Sequence, residues 1–347
     1  IRIDQYPSGM KTAVIGASGY AGGELIRLLS THPHLQVTQV SAHSNAGELI
    51  TSIHPHLTTH NGERFLSFDS LKYEEIEIAF IALPHGQSAG VVEKFAKNTK
   101  IVDLGADFRL TDAAQWSRYY DGIHAGAWTY GLPEIPGNRT KISESSKVAN
   151  PGCYATSIIT GVLPALGVID SSDIVVVAAS GTTGAGRNAK ISLIASEVMG
   201  SLTSYKFGGI HQHTPEIEQV LTLISNKSVK ISFTPILAPM PRGILATVTA
   251  KLDNSTAAAK LRKTFSDYYR ESKFVSLLQE GQMPMTNSVL GTNNVSMQIA
   301  LDSNVNRIVV STAIDNLGKG AAGQAIQNAN LMCNLVEDAG LNLTGVR

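Results

Sequence analysis

The sequence contains few charged residues, few aromatic residues and only two cysteines, and neither sign of charge prevails. Its 28 basic and 28 acidic side chains balance, so nothing indicates a nucleic-acid surface or an acidic tail. No apolar run reaches the roughly 18 residues that a membrane-spanning helix needs. Two distant cysteines form no disulfide framework, which favours a reducing compartment and leaves the thiols free. We therefore expect a cytoplasmic protein that acts on a small molecule, without nucleic-acid or membrane partners.

The first part of the chain alternates between short β-prone runs and helical runs. This alternation is typical of a doubly wound parallel sheet covered by helices. Strands are predicted at residues 11–15, 37–40, 76–83 and 101–104, and a helix at residues 87–97. Residues 1–9 are left out of the fold prediction. Residues 106–147 are rich in Gly, Pro, Trp and Tyr and are expected to be irregular.

The second part has longer strands with fewer helices between them, which favours a mixed or largely antiparallel sheet. After a helix that ends near residue 163, strands are predicted at residues 174–179, 229–233, 244–252, 295–301 and 308–314. The last helix, residues 319–338, is expected to return to the first domain. We predict an α/β protein in which residues 10–150 plus 318–347 form a Rossmann domain. Residues 151–317 would form a second α+β domain on a mixed sheet.

A glycine-rich turn lies between the first predicted strand and the first helix. Gly16 would permit a tight turn, and Gly19 would let the backbone approach a pyrophosphate at the helix N-terminus. The alternative is a plain structural turn, because such glycine spacings also arise by chance. We predict dinucleotide binding at this turn, with contacts from Gly16, Ser18, Gly19 and Tyr20.

The end of the second strand predicts which dinucleotide is bound. NAD proteins usually place a carboxylate there for the ribose 2′-hydroxyl. Residues 40–45 contain no acid, whereas Ser41, Ser44 and His43 could donate hydrogen bonds to a 2′-phosphate. This composition favours NADPH/NADP. The alternative is that these are ordinary loop residues.

Cys153 follows Pro151 and Gly152 and opens a predicted helix. Unpaired N–H groups and the helix dipole at that position favour a thiolate, which is the nucleophilic form. The alternative is a small buried apolar residue, which is the usual state of a free cysteine. We assign that structural role to Cys333, which lies in the amphipathic last helix.

Two histidines, His211 and His213, stand two residues apart before another predicted helix. Thr214 resembles an N-cap and Pro215 a first helical residue, so the histidines are expected in extended chain with both side chains facing one way. Histidine can exchange a proton near neutral pH. A zinc pair is the alternative, but no third ligand stands at a recognisable spacing, so we predict no metal.

Two segments have the composition of anion sites. Residues 180–187 combine flexible backbone, hydroxyl groups and Arg187, and Ser180 and Gly184 would line the same loop. Arg109 follows the fourth strand, at the sheet edge where doubly wound folds bind ligands. Either arginine could instead form a surface ion pair, but beside a thiol and histidines both are predicted to bind substrate.

Together these segments resemble the motif series of the N-acetyl-gamma-glutamyl-phosphate reductases, in the same order from about residue 11 to the C-terminus. The motifs are GASGY (16–20), LPHG (83–86), GADFR (105–109), YGLPE (130–134), PGCY (151–154), SGTTGAGR (180–187), HQHTPEI (211–217) and DNLGKG (315–320). One departure follows the second strand, where the family often has a basic residue and this chain has Ala42-His43.

The resemblance implies an NADP-binding Rossmann domain and a second, catalytic and oligomerisation domain, in a homodimer or homotetramer. It implies that Cys153 attacks an acyl phosphate to form a thioester, which NADPH reduces to an aldehyde. It also implies acid/base work by the His211/His213 pair, for which we favour His213, and cofactor contacts from Pro84 and Asn316. The alternatives are a sister reductase of lysine biosynthesis, whose substrate is one methylene longer, and a non-enzymatic NADP sensor, which would need neither the thiol nor the histidines.

Overall fold

The computed structural model describes residues 9–253 and 258–346, and the chain forms two compact units. Residues 9–113, 120–151 and 321–341 belong to the first unit, and the remaining described residues belong to the second. Residues 342–346, which the sequence analysis groups with the first domain, bond within the second unit, where Asn293 N–H donates to Asn342 O. The excluded N-terminal residues lie outside the described chain except for Gly9.

The strands in the described residues are β1 (Met10–Ile15), β2 (Leu35–Ser41), β3 (Ile78–Ile81), β4 (Lys100–Asp103), β5 (Thr129–Tyr130), β6 (Lys147–Ala149), β7 (Ile169–Ser180), β8 (Thr203–Ser204), β9 (Ile231–Leu237), β10 (Ile244–Leu252), β11 (Val275–Leu277), β12 (Val295–Asp302) and β13 (Arg307–Ile314). The helices are α1 (Tyr20–Leu29), α2 (Ile50–Ile53), α3 (Ser88–Val92), α4 (Ala113–Tyr119), α5 (Asn138–Ser143), α6 (Cys153–Val162), α7 (Ala195–Val198), α8 (His213–Ser225), α9 (Ala258–Tyr268) and α10 (Gly323–Met332).

The first unit contains a parallel sheet in the order β2-β1-β3-β4-β6-β5. Adjacent residues of β1 enter opposite cores, because side chains alternate along a strand. Val14 packs with Leu25 and Ile26 of α1 on one face, whereas Ile15 packs with Val91 on the other. Each fully buried aliphatic side chain of this kind contributes about 1.5–3 kcal/mol. The predicted doubly wound parallel sheet is confirmed.

Two local predictions for this part of the chain hold only in part. Residues 106–147 are largely irregular, but they also contain α4, β5, α5 and the start of β6. The strands in this segment have two or three residues, too few for a periodic pattern to appear in the sequence. The helix predicted at residues 87–97 ends at Val92, since the next bonds, Lys94 N–H to Val91 O and Phe95 N–H to Val92 O, have the tighter three-residue spacing.

The second unit contains a mixed sheet in the order β11-β12-β13-β10-β7-β9-β8. The β7–β9 and β11–β12 pairs are parallel and the other pairs are antiparallel. α6 packs on β10 and β13 with Gly161 facing the sheet, where a Cβ would lie 3.2 Å from Thr312 Cγ2, and the buried Ser157 and Thr312 hydroxyls hydrogen-bond at 2.7 Å. This sheet confirms the predicted mixed architecture, and its packing fixes the helix that begins at Cys153.

The predicted last helix begins within one residue of the expected position, as a π-helical turn at Gly318–Ala322, and it ends earlier than expected, at Met332. A wide turn at Gly318–Ala322 precedes α10, and its Gly320 N–H donates to Asp315 O, five residues back. α10 is buried on almost every side and carries amides there: Asn328 donates to Gly131 O at 2.8 Å and to Asn150 Oδ1 at 3.0 Å. Periodicity alone could not show that this helix is buried on almost every side, because its buried residues are partly polar.

Asp103 ends β4 and is completely buried. Its Oδ1 accepts hydrogen bonds from Ser88 Oγ at 2.7 Å and Gly105 N–H at 3.1 Å, and its Oδ2 has no partner among the described residues. Burial raises the pKa of this carboxyl from 3.8 to about 7; nearby Asp107 adds to the rise, and the Ser88 bond and Arg109 oppose it. Between about pH 4 and about pH 7 the folded protein therefore keeps a proton that the unfolded chain releases, and its stability declines as pH rises through that window.

We expect Asp103→Asn to gain stability relative to the unmodified protein as the pH is raised from about 5 to about 8. The neutral amide avoids the buried charge, and the gain should reach roughly 1–4 kcal/mol, since one pKa unit corresponds to about 1.4 kcal/mol. Urea unfolding at several pH values measures the difference. Asp69→Asn is the control, because the Asp69 side chain is 94% exposed. A difference between Asp103→Asn and the unmodified protein that does not change with pH would contradict the expectation.

Candidate active site

The predicted nucleotide turn has the geometry that its glycines require. Gly16 has φ +77°, and a Cβ there would lie 2.5 Å from Ala82 O. Gly22 approaches Ala17 equally closely, which brings α1 onto the turn. α1 begins after Gly19, which has no side chain to cap the first-turn N–H groups of the helix. These N–H groups and the positive end of the helix dipole form an anion-binding end. Of the other predicted contacts, Ser18 is partly buried and Tyr20 is exposed.

The two serines predicted to select the cofactor are placed differently. Ser41 is fully buried at the end of β2. Its hydroxyl therefore does not reach the surface, contrary to the predicted contact with a 2′-phosphate. Ser44 lies in the exposed loop that follows, where its hydroxyl donates to Asn45 Oδ1 at 3.3 Å. The geometry therefore favours Ser44 over Ser41 as a contact for a 2′-phosphate.

Pro84 is exposed in the loop after β3, at the carboxyl edge of the parallel sheet. Asp107 holds this loop, because its carboxylate accepts N–H bonds from Gly86 at 2.7 Å, Ser88 at 2.9 Å and Ala89 at 3.3 Å. Ligands of doubly wound folds bind at this edge. Asp107, which shapes this loop, was not among the predicted site residues.

Arg109 is buried in the first unit, with 4% of its surface exposed. Its Nε donates to Asn150 O and its Nη2 to Leu104 O, each at 2.8 Å. One of its nitrogens thus holds the backbone directly before Pro151, and another holds the backbone directly after β4. Substrate binding by Arg109 stays a prediction.

Cys153 is the first residue of α6, as predicted, and it is partly buried. The preceding Gly152 is extended, and its N–H donates to Glu216 Oε1 at 2.8 Å. The sulfur of a first helical residue lies beside unpaired N–H groups, an environment that favours a thiolate. Cys333 differs, because burial raises the pKa of its thiol to about 12. Of the two thiols, Cys153 is therefore the one placed for chemistry.

His213 packs its ring directly on Gly152. A Cβ on Gly152 would lie 2.4 Å from His213 Nε2, so only glycine fits at this position. The expected extended chain before the helix is wrong: Gln212 is helical (φ −62°, ψ −17°) and α8 begins at His213. Pro215 is then the third helical residue, where the missing N–H costs nothing because the first four N–H groups have no partner within the helix.

His211 is enclosed by aromatic rings. Its ring centroid lies 4.9 Å from that of His213, 5.0 Å from that of Phe233 and 5.4 Å from that of Tyr154. Its Nδ1 accepts the His213 N–H at 3.1 Å. Burial, together with the neighbouring His213 and Lys206, lowers the pKa of His211 to about 2, so the ring is neutral in the physiological range.

Glu216 and Tyr205 belong to this cluster, although the sequence analysis missed them. Glu216 is 1% exposed and lies three residues after His213, on the same side of α8. That spacing was a usable signal. Tyr205 shares a 3.0 Å hydroxyl bond with Tyr154, and burial raises the pKa of Tyr205 to about 12, so its hydroxyl stays protonated. No sequence spacing links Tyr205 to Tyr154.

The predicted anion loop follows β7 in the second unit. Ser180 is buried, with its Oγ 3.1 Å from where a Gly184 Cβ would lie, and Arg187 is at the exposed end of the loop. Asn316 joins them, because its Nδ2 donates to Thr183 Oγ1 at 3.0 Å. Its Oδ1 accepts the Gly243 N–H at 2.7 Å. The structure thus brings Ser180, Gly184 and Asn316 together.

Within residues 9–253 and 258–346, none of the helices is both long and apolar enough to cross a membrane. No group of three or more His, Cys, Asp or Glu side chains there is arranged to hold a metal ion.

Comparison with known proteins defines the class. A model of the semialdehyde dehydrogenase NAD-binding domain matches residues 11–145, and one of the semialdehyde dehydrogenase dimerisation domain matches residues 153–316. Aspartate semialdehyde dehydrogenase II of Vibrio cholerae superposes with TM-score 0.70 at 16% identity, covering 94% of this chain and 98% of that one. The aspartate semialdehyde dehydrogenase of Candida albicans with NADP superposes with TM-score 0.70 at 15% sequence identity, covering 94% of this chain and 99% of that one. The fold is therefore that of the semialdehyde dehydrogenases, a class of oxidoreductases.

The sequence relatives are more specific. N-acetyl-gamma-glutamyl-phosphate reductase of Acidothermus cellulolyticus is 49% identical over 340 residues, which cover 97% of this chain and 99% of the relative. The enzyme of the same name from Arthrobacter sp. is 47% identical over 342 residues, with the same coverage. The chain belongs to the N-acetyl-gamma-glutamyl-phosphate reductase family and is an oxidoreductase, which confirms the resemblance found in the sequence.

We expect Gly152→Ala to lower the reductase kcat at least about tenfold, a change of about 1.4 kcal/mol in the activation barrier. The new Cβ would overlap three atoms of the His213 ring and must displace that ring or the start of α6. Steady-state kinetics and thermal melting measure the effect. Gly167→Ala is the matched control, because a Cβ there meets no atom within 4 Å. An unchanged kcat in Gly152→Ala would show that this contact does not matter.

Proposed function

We propose that the protein reduces N-acetyl-gamma-glutamyl phosphate to N-acetylglutamate 5-semialdehyde and phosphate, with NADPH as reductant and a thioester on Cys153 as intermediate. The observation that carries the proposal is the junction at Gly152, which brings a thiol at a helix start, the His213 ring and the Glu216 carboxylate to one residue. Full-length relatives of this name supply the substrate.

The residues of the first unit fit an NADP cofactor. The N-terminus of α1 beyond Gly19 suits the pyrophosphate, and Pro84 lies at the ligand-binding edge of the sheet. Ser44 is exposed for the 2′-phosphate, and residues 40–45 bring no carboxylate against it. When bound, NADPH supplies the hydride that reduces the acyl carbon.

Cys153 performs the covalent step. Its thiolate attacks the γ-carbonyl carbon of the acyl phosphate, the carbon–oxygen bond to phosphate breaks, and the acyl group remains as a thioester. The first-turn N–H groups of α6 and the flexible loop at residues 180–187 stabilise the developing negative charge. Arg187 and Arg109 serve as the cations for phosphate and carboxylate. After reduction, the hemithioacetal collapses to the aldehyde and the thiolate.

His213 manages the proton in this scheme. It protonates the oxygen that becomes negative on reduction and accepts that proton when the hemithioacetal collapses. His211 cannot exchange a proton near neutral pH, because burial keeps the pKa of its ring far below that range. Its neutral ring instead holds the His213 backbone and helps to place the substrate.

The second unit also offers a surface for self-association, and we propose that the protein is a homodimer or homotetramer. We place it in the cytoplasm. On the interior strand β7, Val177 is 43% exposed, and its neighbour Thr247 on the central strand β10 is exposed too. An apolar sheet face open to water is typical of an interface. The family model that covers this unit is described as a dimerisation domain.

The substrate is tested by running the reaction in reverse. We expect phosphate-dependent reduction of NADP with N-acetylglutamate 5-semialdehyde, at a kcat/KM at least about tenfold above that with the homologue one methylene longer. Cys153→Ser should abolish turnover and leave NADPH affinity within a few-fold. Preference for the longer aldehyde would assign the protein to the sister reaction. Near-native turnover by Cys153→Ser would exclude the thioester.

The two histidines are separated by kinetics across about pH 6 to about pH 9. We expect His213→Asn to lower kcat roughly 100-fold or more with little change in KM, because it removes the acid/base group. His211→Asn should act mainly through KM and keep the pH profile of kcat, since His211 does not titrate in this range. The reverse pattern would move the acid/base role to His211.

A further inference from the structure

We propose that Arg242 and Asp315 are positioning residues for Cys153, an inference that rests on the proposed role of Cys153 as nucleophile. Asp315 follows β13 and is completely buried. The Nε–H of Arg242 donates to Asp315 Oδ1 at 3.0 Å, and Arg242 Nη2 forms an ion pair with Asp315 Oδ2 at 2.8 Å. Fork-shaped pairing of this kind fixes the geometry of both side chains.

The same carboxylate shapes the wide turn before α10. Its Oδ1 accepts the N–H groups of Leu317 at 2.9 Å and Gly318 at 3.2 Å, and its Oδ2 accepts that of Gly291 at 2.7 Å. Each carboxylate oxygen therefore serves both Arg242 and the backbone. The chain from residue 315 to residue 318 is bound to a single buried anion.

The turn leads directly to the thiol-bearing residue. Asp315 O accepts the Gly320 N–H at 3.0 Å, and a Cβ on Gly320 would lie 2.8 Å from the Cβ of Cys153. The backbone of Gly320 thus packs directly against the side chain of Cys153, the first residue of α6. A movement of the turn must therefore change this contact. A misplacement of about 1 Å near reacting atoms can cost about 100-fold in rate.

The pair also connects to the anion loop. Next to Asp315, the Asn316 amide binds the Gly243 N–H and the Thr183 hydroxyl, while Thr182 N–H donates to Met240 O at 2.9 Å. Arg242 lies within the segment 240–243 that makes these bonds. Loss of its cation leaves a buried carboxylate without its counter-charge, so the turn must rearrange or take up a proton.

The experiment measures Cys153 itself, in the full chain and without substrate. Iodoacetamide alkylation of the Cys153 peptide is followed by mass spectrometry across pH, beside kcat and melting temperature. For Arg242→Gln we expect the pH of half-maximal alkylation to rise by about half a unit or more, because the sulfur leaves the helix N–H groups. We expect kcat to fall at least about tenfold. For Arg242→Lys we expect an alkylation pH and a kcat between those of the unmodified protein and Arg242→Gln, since lysine keeps the cation but cannot form the two-nitrogen pairing with Asp315.

Arg307→Gln is the matched control. Arg307 pairs with Asp173 at 2.6 Å in the same unit, and its side chain is 23% exposed against 21% for Arg242. It should lower the melting temperature without moving the alkylation profile. The inference would be overturned if Arg242→Gln kept the alkylation profile of the unmodified protein, or if Arg307→Gln shifted the pH of half-maximal alkylation equally. If Arg242→Gln does not fold, the alkylation profile of Arg242→Lys decides in the same way. Alkylation needs no thioester, so failure of the proposed function is recognised separately, by turnover in Cys153→Ser.

Discussion

The contact between the Gly152 backbone, the Glu216 carboxylate and the His213 ring is the constraint on which the site depends. Gly152 N–H donates to Glu216, and the missing side chain leaves room for the imidazole. Two helices of the second unit thereby begin beside each other, α6 at Cys153 and α8 at His213. Because both helices pack within one unit, the relation between sulfur and imidazole is fixed by a folded core and does not depend on a mobile loop.

Much of the architecture could be predicted from local patterns. The glycine turn before α1 and the long strands β10 and β13 have periodic or punctuated sequences, and each lies within a few residues of its predicted position. Cys153 at a helix start was equally visible, since Pro151 and Gly152 mark the boundary. These features depend on near neighbours in the chain, which is why one sequence was sufficient.

The unpredicted features depend on distant residues. Ser41 was predicted to contact a cofactor, but it is fully buried at the end of β2, where it pairs with Leu66. Gln212 is helical because His211 O accepts the Thr214 N–H and closes a turn, so the expected cap was misplaced. Asp315 stood in a quoted motif, yet only the fold shows that Arg242, 73 positions away, binds it. A periodic pattern holds no information about such pairs.

The amides of α10 have a consequence for how this sequence can diverge. Gln324, Gln327, Asn328 and Asn330 are all fully buried, and Asn328 satisfies Gly131 O and Asn150 Oδ1 at once. An aliphatic replacement of Asn328 would leave two acceptors without this donor at a fully buried site. Substitutions at these positions should therefore occur together. In descendants of this chain, Asn328 and Asn150 should change together or stay unchanged, even though 178 positions separate them.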